Sequence, residues 1–446
     1  MIKIVEVLEA TASGTRKYLN ALVAALPPGE FDVRIVCSTR RDPTYAEDID
    51  HFRAQGRRVI VLPMTRAAHP ILDPVACLRL RRILAREPCD VLHLHSAKAG
   101  FLGRLAAWEQ RCKVIYSPHA FPFLQRTAAP LRALYRLAER LTSARTDLLL
   151  AVGSAEARLA VESALFPASK VRVLENAVDV AELEREVARQ PRLGADGAPV
   201  VGFLGELRPQ KDPLTFLAAA RLLRERLPEV RYVMPAWGGL LPAVRRQIRR
   251  DRLGDRVELV PREGVLLPYY HGLSLAVQCS LWEGLPYTLL EALALRVPVV
   301  GSDIPPVAEL LADVAPRFLF PPGRADRLAD LIEESLGLSE PGRAALVERG
   351  RARIERHHLL ENWGSGVRAP PRPPGQPGDR GGRRRAPPRS RAAPRRPPGA
   401  PSPGPRAGRS ARCPGPRRGP RPRAPPGRRR PRSARAARRA PASARA

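Results

Sequence analysis

Short apolar, β-branched runs recur along about the first 370 residues with helical patterns between them, and this alternation constrains the fold more than any single residue does. In the first half the runs fall at 2–8, 33–38, 59–62, 91–95, 114–117, 148–152 and 171–174, with helical periodicity at 16–26 and 131–141. In the second half they fall at 200–204, 232–234, 257–260, 275–278 and 297–301, with helices at 214–226, 243–250, 287–294 and 327–336. Strands separated by helices pair in parallel, so an α/β fold built on doubly wound sheets is expected. The stretch QPRLGADGAP, from Gln190 to Pro199, interrupts the pattern with the Pro and Gly content of a linker. Two Rossmann-like domains facing a cleft follow, 1–189 and 200–368, joined by 190–199.

The two halves also begin alike. IKIVEVLEATASGTRKYLNALVAAL and PVVGFLGELRPQKDPLTFLAAARLL both read as strand, loop, helix. In open parallel sheets ligands lie beyond the carboxyl ends of the strands, where both loops belong. Two such loops across a cleft suit two substrates.

The alternation stops after Arg368. From Pro371 to Ala446 the chain has 24 Arg, 20 Pro, 14 Ala, 10 Gly and 5 Ser, and no Leu, Ile, Val, Met, Phe, Tyr or Trp. A segment without large apolar side chains cannot offset the entropy of ordering, so 369–446 is expected to be a disordered basic tail. It carries +23 of the formal +32, which leaves a mildly basic body. Its composition looks like that of a GC-rich gene read out of frame, and a frameshift near Ala369 that cuts short a last helix in RARIERHHLLENWGSGV, 351–367, is the expectation. The rival reading is non-specific polyanion binding through the tail by counterion release. Without aromatic residues for base stacking such binding would be blind to sequence, and no specific nucleic-acid partner is expected.

Cys37, Cys77, Cys89, Cys112, Cys279 and Cys413 show no C-x-x-C spacing and read as reduced thiols. The start MIKIVEVLEA places Glu6 and Glu9 within its apolar stretch, unlike a signal peptide, and no run of 18 apolar residues occurs. A cytoplasmic location is expected, with peripheral attachment to the inner face of the membrane left open.

Two stretches carry chemistry. Gly205 to Pro213, GELRPQKDP, follows a strand and opens a helix; Arg208, Lys211 and free helix N–H groups there suit a diphosphate. Neither G-x-x-x-x-G-K-[ST] nor G-x-G-x-x-G occurs at either loop, which argues against a P-loop nucleotidase or a standard dinucleotide dehydrogenase. The second stretch is SLWEGLPYTLLEALALRVPVVGSD, Ser280 to Asp303. Glu283 lies in its loop and Glu291 on its helix, so that carboxylates face sugar hydroxyls while the helix N-terminus favours phosphate. No D-x-D or His-x-x-His cluster calls for a metal.

In these features the chain resembles the GT-B glycosyltransferases of family 4, retaining enzymes that use sugar nucleotides. Glu283-Gly284-Leu285-Pro286 through Glu291-Ala292-Leu293-Ala294 and Pro298-Val299-Val300 resembles that family's Glu-x7-Glu signature. Leu174 to Asp179 resembles its Asn-Gly-Val-Asp crossover, and Pro209 to Pro213 its phosphate loop. His93-Leu94-His95-Ser96 and Ser117-Pro118-His119 fit its acceptor side. The resemblance covers Met1 to about Arg368 and implies the GT-B fold.

It also implies roles. Glu283 would face the donor sugar and the reacting centre, and His119 would orient or polarise donor and acceptor groups, which makes these two the candidate catalytic residues. Glu291 would contact the ribose and Lys211 the phosphates, with Gly14, between Ser13 and Thr15, near the scissile phosphate and Leu285 beside the donor. The family usually has Gly-Arg-Leu where this chain has Gly205-Glu206-Leu207, so Arg208 is expected to supply the lost cation. Arg296 stands where the family commonly has Gly, and the sequence alone does not explain it.

The implied function is transfer of a sugar from a nucleoside-diphosphate sugar, with retention and without metal or other cofactor, to a saccharide or lipid-linked saccharide. The alternative enzyme is a GT-B sugar-nucleotide epimerase. EATASGTRKYL and HLHSAKAG look like members that act in bacterial surface polysaccharide biosynthesis. Arg79, Arg81, Arg82 and Arg86 read equally as a face toward anionic lipid or a solvated helix side.

Overall fold

The computed structural model describes residues 1–262 and 268–363. The expected tail and the end of the expected last helix lie outside these. The first sheet has seven strands: β1 (Ile2–Leu8), β2 (Phe31–Cys37), β3 (Arg58–Val61), β4 (Val91–His95), β5 (Lys113–Ser117), β6 (Leu148–Ala151) and β7 (Val171–Val173). They run in the order β3-β2-β1-β4-β5-β6-β7, every pair parallel. Between and after them come α1 (Ser13–Ala25), α2 (Ala46–Ala54), α3 (Leu72–Arg86), α4 (Ser96–Ala106), α5 (Ala129–Ser143), α6 (Ser154–Glu162) and α7 (Val180–Ala188).

The second sheet is built from β8 (Val200–Phe203), β9 (Arg231–Pro235), β10 (Val257–Val260), β11 (Leu275–Gln278), β12 (Val299–Ser302) and β13 (Leu319–Phe320). Its order is β10-β9-β8-β11-β12-β13, again all parallel. Its helices are α8 (Pro213–Leu223), α9 (Leu241–Arg250), α10 (Tyr287–Ala294), α11 (Pro305–Leu311), α12 (Ala325–Leu336) and α13 (Glu340–His357). Strand order reverses between β1 and β4 in one sheet and between β8 and β11 in the other. A crevice opens at each switch point, which is where such sheets take ligands.

The strands form because both faces are covered. Every residue of β8, β11 and β12 is buried, and parallel strands of this kind read as continuous apolar runs. Gln278 and Ser302, the last residues of β11 and β12, are the polar exceptions, and Gln278 points into chemistry described below. Helix starts are set locally: Asp179 Oδ1 accepts from Glu182 N at 2.8 Å to cap α7, and Pro213 opens α8 after Asp212.

The sheets are joined by more than the linker. Asn176 Nδ2 donates to Leu285 O at 2.7 Å, which ties the crossover after β7 to the loop before α10. A Cβ on Gly284 would lie 3.1 Å from Ala120 N and 3.2 Å from His119 C, so glycine lets that loop approach the first lobe without displacing it. The linker is pinned from the far side, where Gln190 Oε1 accepts from Tyr270 N at 3.0 Å and Leu193 N donates to His271 O at 2.9 Å.

The last helix departs from expectation. Instead of starting near Arg351 and running on, α13 starts at Glu340 and ends at His357. Of its 18 residues only Leu346, Gly350 and Ile354 are buried, too sparse a stripe to show as periodicity. The chain then returns to the first lobe. Val178 N donates to His358 O at 2.8 Å, Leu360 N to Val178 O at 3.0 Å, and Trp363 Nε1 to Glu175 O at 2.6 Å. The short strand β13 is only two residues long, which is why no apolar run announced it.

Arg296 has an account here. Its φ is +57°, the left-handed region in which glycine carries no Cβ penalty, and its Nε donates to Glu348 Oε1 of α13 at 3.0 Å. An Arg296→Gly chain is expected to gain up to about 1 kcal/mol of stability, because the strain removed exceeds an exposed ion pair; urea unfolding reads it. His358 is fully buried with Nδ1 donating to Asn176 O at 3.0 Å, and burial pushes the imidazole down to about 4. A depressed histidine stabilises the fold above its unfolded value, and that contribution fades as pH falls toward 4. Between pH 7 and about 4.5 the wild-type chain should lose roughly 2 kcal/mol more stability than a His358→Phe chain, measured as the difference of two pH–stability curves.

Candidate active site

The carboxyl ends of β1, β4, β5, β8 and β11 surround a cleft of about 580 Å³. Gly14, His119, Arg208, Lys211, Glu283, Leu285 and Glu291 all line it, together with Ser13 and Thr15. The sheet topology, with its helices returning each chain segment to the same end, brings these distant positions together. Four of the lining residues, Ser13, Ser96, His119 and Ala120, are non-glycines with φ of +55°, +71°, +53° and +88°. Such conformations cost on the order of 1–3 kcal/mol each, and they persist where the surroundings over-determine them.

On the second lobe, Gly205 has φ of +121°, and a Cβ there would lie 2.8 Å from the Lys211 side chain. Glycine therefore lets the loop after β8 fold Lys211 back over its own start. Lys211 Nζ donates to Glu283 Oε1 at 2.5 Å. The same oxygen accepts from Ser280 Oγ at 2.6 Å and Gln278 Nε2 at 3.2 Å, while Oε2 accepts from Gln210 Nε2 at 3.2 Å. Four donors thus fix the carboxylate that the Glu-Gly-Leu-Pro loop carries. Glu291, nearly fully buried on α10, accepts from Tyr270 Oη at 2.8 Å and pairs with Lys17 of α1 across the cleft.

Arg208 lines the cleft but is not free of its loop. Its Nη2 pairs with Glu206 and also lies 3.3 Å from Ser13 Oγ of the first lobe. The acid that replaces the usual arginine is thereby neutralised by the neighbour expected to replace its charge. Gly14 sits in the first turn of α1 against Tyr287, where an added Cβ would approach the ring to 3.0 Å. Leu285 holds the lobes together through its carbonyl.

On the first lobe, the left-handed turn at His119 and Ala120 is held by Glu156 of α6. Its Oε1 accepts from Ala120 N at 2.7 Å and its Oε2 from Val152 N at 3.0 Å; burial pushes the carboxyl up to about 7. His93 and His95, expected on the acceptor side, do not line the cleft. They lie two apart on β4 with side chains on one face, both turned to Glu6 of β1. His95 Nε2 lies 2.7 Å from Glu6 Oε2, and its Nδ1 lies 3.1 Å from Nε2 of His119. Glu6, His93 and His95 bring one ligand-type atom each within 4.8 Å of one another, a spacing also met at metals. Here the contacts of 2.7 and 3.1 Å to the carboxylate are accounted for by hydrogen bonds.

Sequence reasoning did not single out Lys17, Tyr270, Gln210, Gln278, Ser280, Glu156 or Glu6 as site residues. Gln278 and Ser280 had a signal, being polar at the end of a buried strand just before Glu283. Glu6 had one as well, an acid inside the apolar run of β1. Lys17 and Tyr270 had none, since each acts only on a residue brought close by folding.

Comparison with known proteins bears on the family and the fold. Residues 13–177 match the glycosyl transferase 4-like domain, and residues 184–353 match glycosyl transferases group 1. The UDP-Gal:alpha-D-GlcNAc-diphosphoundecaprenol alpha-1,3-galactosyltransferase of Escherichia coli is 26% identical over 313 residues, covering 68% of this chain and 80% of its own length. The GDP-mannose-dependent alpha-(1-6)-phosphatidylinositol monomannoside mannosyltransferase of Mycobacterium tuberculosis is 25% identical over 341 residues, covering 72% and 85%. Among solved structures, Anabaena HepE in complex with UDP and glucose superposes with a TM-score of 0.66 at 16% identity, covering 82% of this chain and 98% of its own. The sucrose-phosphate synthase of Thermosynechococcus elongatus gives 0.66 at 18%, covering 82% and 97%. At those identities the structures speak for the fold, while the two family matches account for both lobes: the chain belongs to the group 1 glycosyltransferases and has the GT-B fold.

Proposed function

We propose that the chain moves a sugar from a nucleoside-diphosphate sugar to a hydroxyl of a saccharide or lipid-linked saccharide, with retention, in the biosynthesis of a bacterial surface polysaccharide or exopolysaccharide. The observation that carries this is the meeting of Lys211 with Glu283, and of Lys17 with Glu291, at the facing carboxyl ends of two sheets. Both family models are transferase models, which favours transfer over epimerisation. The E. coli relative is named for a UDP-sugar donor and a diphosphoundecaprenol acceptor, and a lipid-linked acceptor of that kind suits this chain.

In this reading the donor diphosphate takes Lys211 and Arg208 from their acids and sits at the N-termini of α8 and α10. Glu283, released from the lysine but still held by Ser280 and Gln278, turns to sugar hydroxyls. Glu291 takes the ribose in place of Lys17. The bond from the anomeric carbon to the phosphate oxygen breaks with its electron pair going to the diphosphate. The acceptor oxygen bonds to that carbon, and its proton passes to the departing phosphate. Preorganised cations facing the developing charge supply the main stabilisation, and no metal is required. Lys211→Ala is expected to lower kcat/KM by about a hundredfold or more, and Glu283→Gln to lower kcat by a similar factor, in assays of acceptor-dependent nucleoside-diphosphate release run with and without a chelator. Arg208→Ala should raise the donor Kd by about tenfold; an unchanged Kd would remove Arg208 from the phosphate site.

Attachment to an anionic membrane face rests on α5. This helix buries only Glu139 and Thr142 and exposes Leu131, Leu134, Leu137 and Leu141. Glu139 is turned inward to Arg104 Nη2 at 2.8 Å and Tyr116 Oη at 2.9 Å, so the polar side of the helix packs and the apolar side faces out. Arg132, Arg136 and Arg140 flank the leucines, and exposed Arg79, Arg82 and Arg86 lie on α3 beyond α4. Arg81 is also exposed but pairs with Glu109. The loop that feeds α5 lines the cleft as far as Gln125, which places this face beside the acceptor entrance. No helix among the described residues is long and apolar enough to cross a membrane. Binding to anionic vesicles that survives about 0.5 M salt, where charge attraction is screened, should be lost in a Leu134→Glu, Leu137→Glu chain; retention there would exclude α5 as the docking face.

A further inference from the structure

The histidine beside the cleft does not stand alone. Behind it a continuous chain of hydrogen-bonding groups runs from Glu6 through His95 to His119, and nothing in the proposed transfer uses its first two members. Glu6 and His95 are buried, and His119 is half-buried at the cleft wall. We propose that Glu6 and His95 are positioning residues that hold His119 as the neutral tautomer protonated on Nε2, so that its Nδ1 presents a lone pair to a hydroxyl of the donor sugar or the acceptor.

The argument is one of counting protons. A carboxylate only accepts, so His95 Nε2, 2.7 Å from Glu6 Oε2, carries a hydrogen. Burial, reinforced by the charge of His93 beside it, pushes His95 down to about 4, and the ring is neutral at neutral pH. Its Nδ1 is therefore an acceptor, and the group 3.1 Å away, His119 Nε2, must be the donor. His119 is itself pushed well below its ordinary value, first by burial and then by His95 and His93. A neutral ring with its hydrogen on Nε2 leaves Nδ1 unprotonated.

The anchor of the chain is also accounted for. Burial alone would raise Glu6, but the two imidazoles facing it, His93 foremost, bring it down to about 2. Ser117 Oγ donates to Leu150 O at 2.8 Å, so toward His93 Nε2, 3.0 Å away, it accepts. His93 thus gives Nε2 to Ser117, while its Nδ1 lies 3.1 Å from Glu6 Oε2. That arrangement gives Glu6 an imidazole on each side and leaves His95 as the neutral link toward His119. Tyr18 of α1 closes the remaining side, its ring edge-on to His119 at 4.8 Å and to His95 at 5.7 Å. The backbone at His119, left-handed and clamped by Glu156 through Ala120, keeps the ring from swinging out of this chain.

The consequence for chemistry is specific. A histidine held this way is an acceptor toward the substrate hydroxyl and not a cation for the diphosphate, which leaves phosphate charge to Lys211 and Arg208. This inference rests on the transferase reading for the identity of the hydroxyl, but not for the tautomer.

The test is therefore spectroscopic first. Long-range proton–nitrogen correlation spectra of the nitrogen-labelled full chain, with His95→Asn and His119→Asn chains for assignment, distinguish the tautomers at neutral pH. His95 and His119 should both show a protonated Nε2 and a bare Nδ1; a hydrogen on Nδ1 of His119, or a doubly protonated His119, overturns the proposal in the wild-type protein without any variant. In a Glu6→Gln chain, whose amide can donate as well as accept, a fraction of His119 should move its proton to Nδ1. There kcat should fall by about tenfold or more with donor KM within threefold, and Glu6→Asp should restore much of it. An unaltered His119 signature and an unaltered kcat in folded Glu6→Gln protein would show that the chain of bonds sets nothing. Should the wild-type signature be as expected while no sugar nucleotide is bound or turned over, the transferase reading fails and the assignment of the tautomer stands.

Discussion

The cleft depends on opposite charges held in reserve. Two of its acids are spoken for by lysines from different parts of the chain: Glu283 by Lys211 of its own lobe, Glu291 by Lys17 of the other. Pairs of this kind contribute little net stability, because the cost of desolvating both partners nearly cancels their attraction. What they do is hold each carboxylate in a fixed orientation at the cleft wall. In the proposed transfer an arriving diphosphate exchanges one anion for another at Lys211, and the carboxylate is set free toward the sugar. The Glu206–Arg208 pair repeats this device at the position where the family places a bare arginine.

This economy is possible because two parallel sheets point their carboxyl ends at one space. Every loop that matters leaves a strand at that end: 9–12 after β1, 96 after β4, 118–120 after β5, 204–211 after β8 and 279–286 after β11. Close approach then demands backbone that avoids Cβ atoms. Gly284 reaches the first lobe because it has none, and Gly205 lets Lys211 fold over it. Where non-glycines take left-handed conformations, as at His119 and Ala120, a buried carboxylate, that of Glu156, accepts the backbone N–H groups that hold the turn. Of the eight left-handed non-glycine positions among the described residues, four line the cleft and none lies within a strand.

Much of the frame was legible. Apolar runs mark β1, β4, β10 and β11 to the residue, because each is a short run rich in β-branched residues and leucine. Helix α10 was legible because its start follows Pro286 and its apolar face is dense. Helix α13 was not, since three buried residues in eighteen leave no stripe. Helix α5 showed an apolar stripe, but the stripe faces out, because a buried Arg104 claims Glu139 from the opposite side. Arg296 looked anomalous until its φ gave the reason for glycine at that place.

By itself the sequence determined that the body is two doubly wound α/β lobes and that Glu283, Glu291, Lys211 and Arg208 are borne on loops and a helix at ligand-binding ends. Strand periodicity and local loop chemistry are properties of neighbouring residues, and neighbours are what a sequence displays. Only the tertiary structure decided which charges meet, that Lys17 faces Glu291 from a distance of 274 positions, and that His93 and His95 turn away from the cleft to Glu6. Those outcomes depend on register between strands and on the approach of one lobe to the other. A one-residue change in register would send each strand side chain to the opposite face, and no local pattern records the distance between lobes.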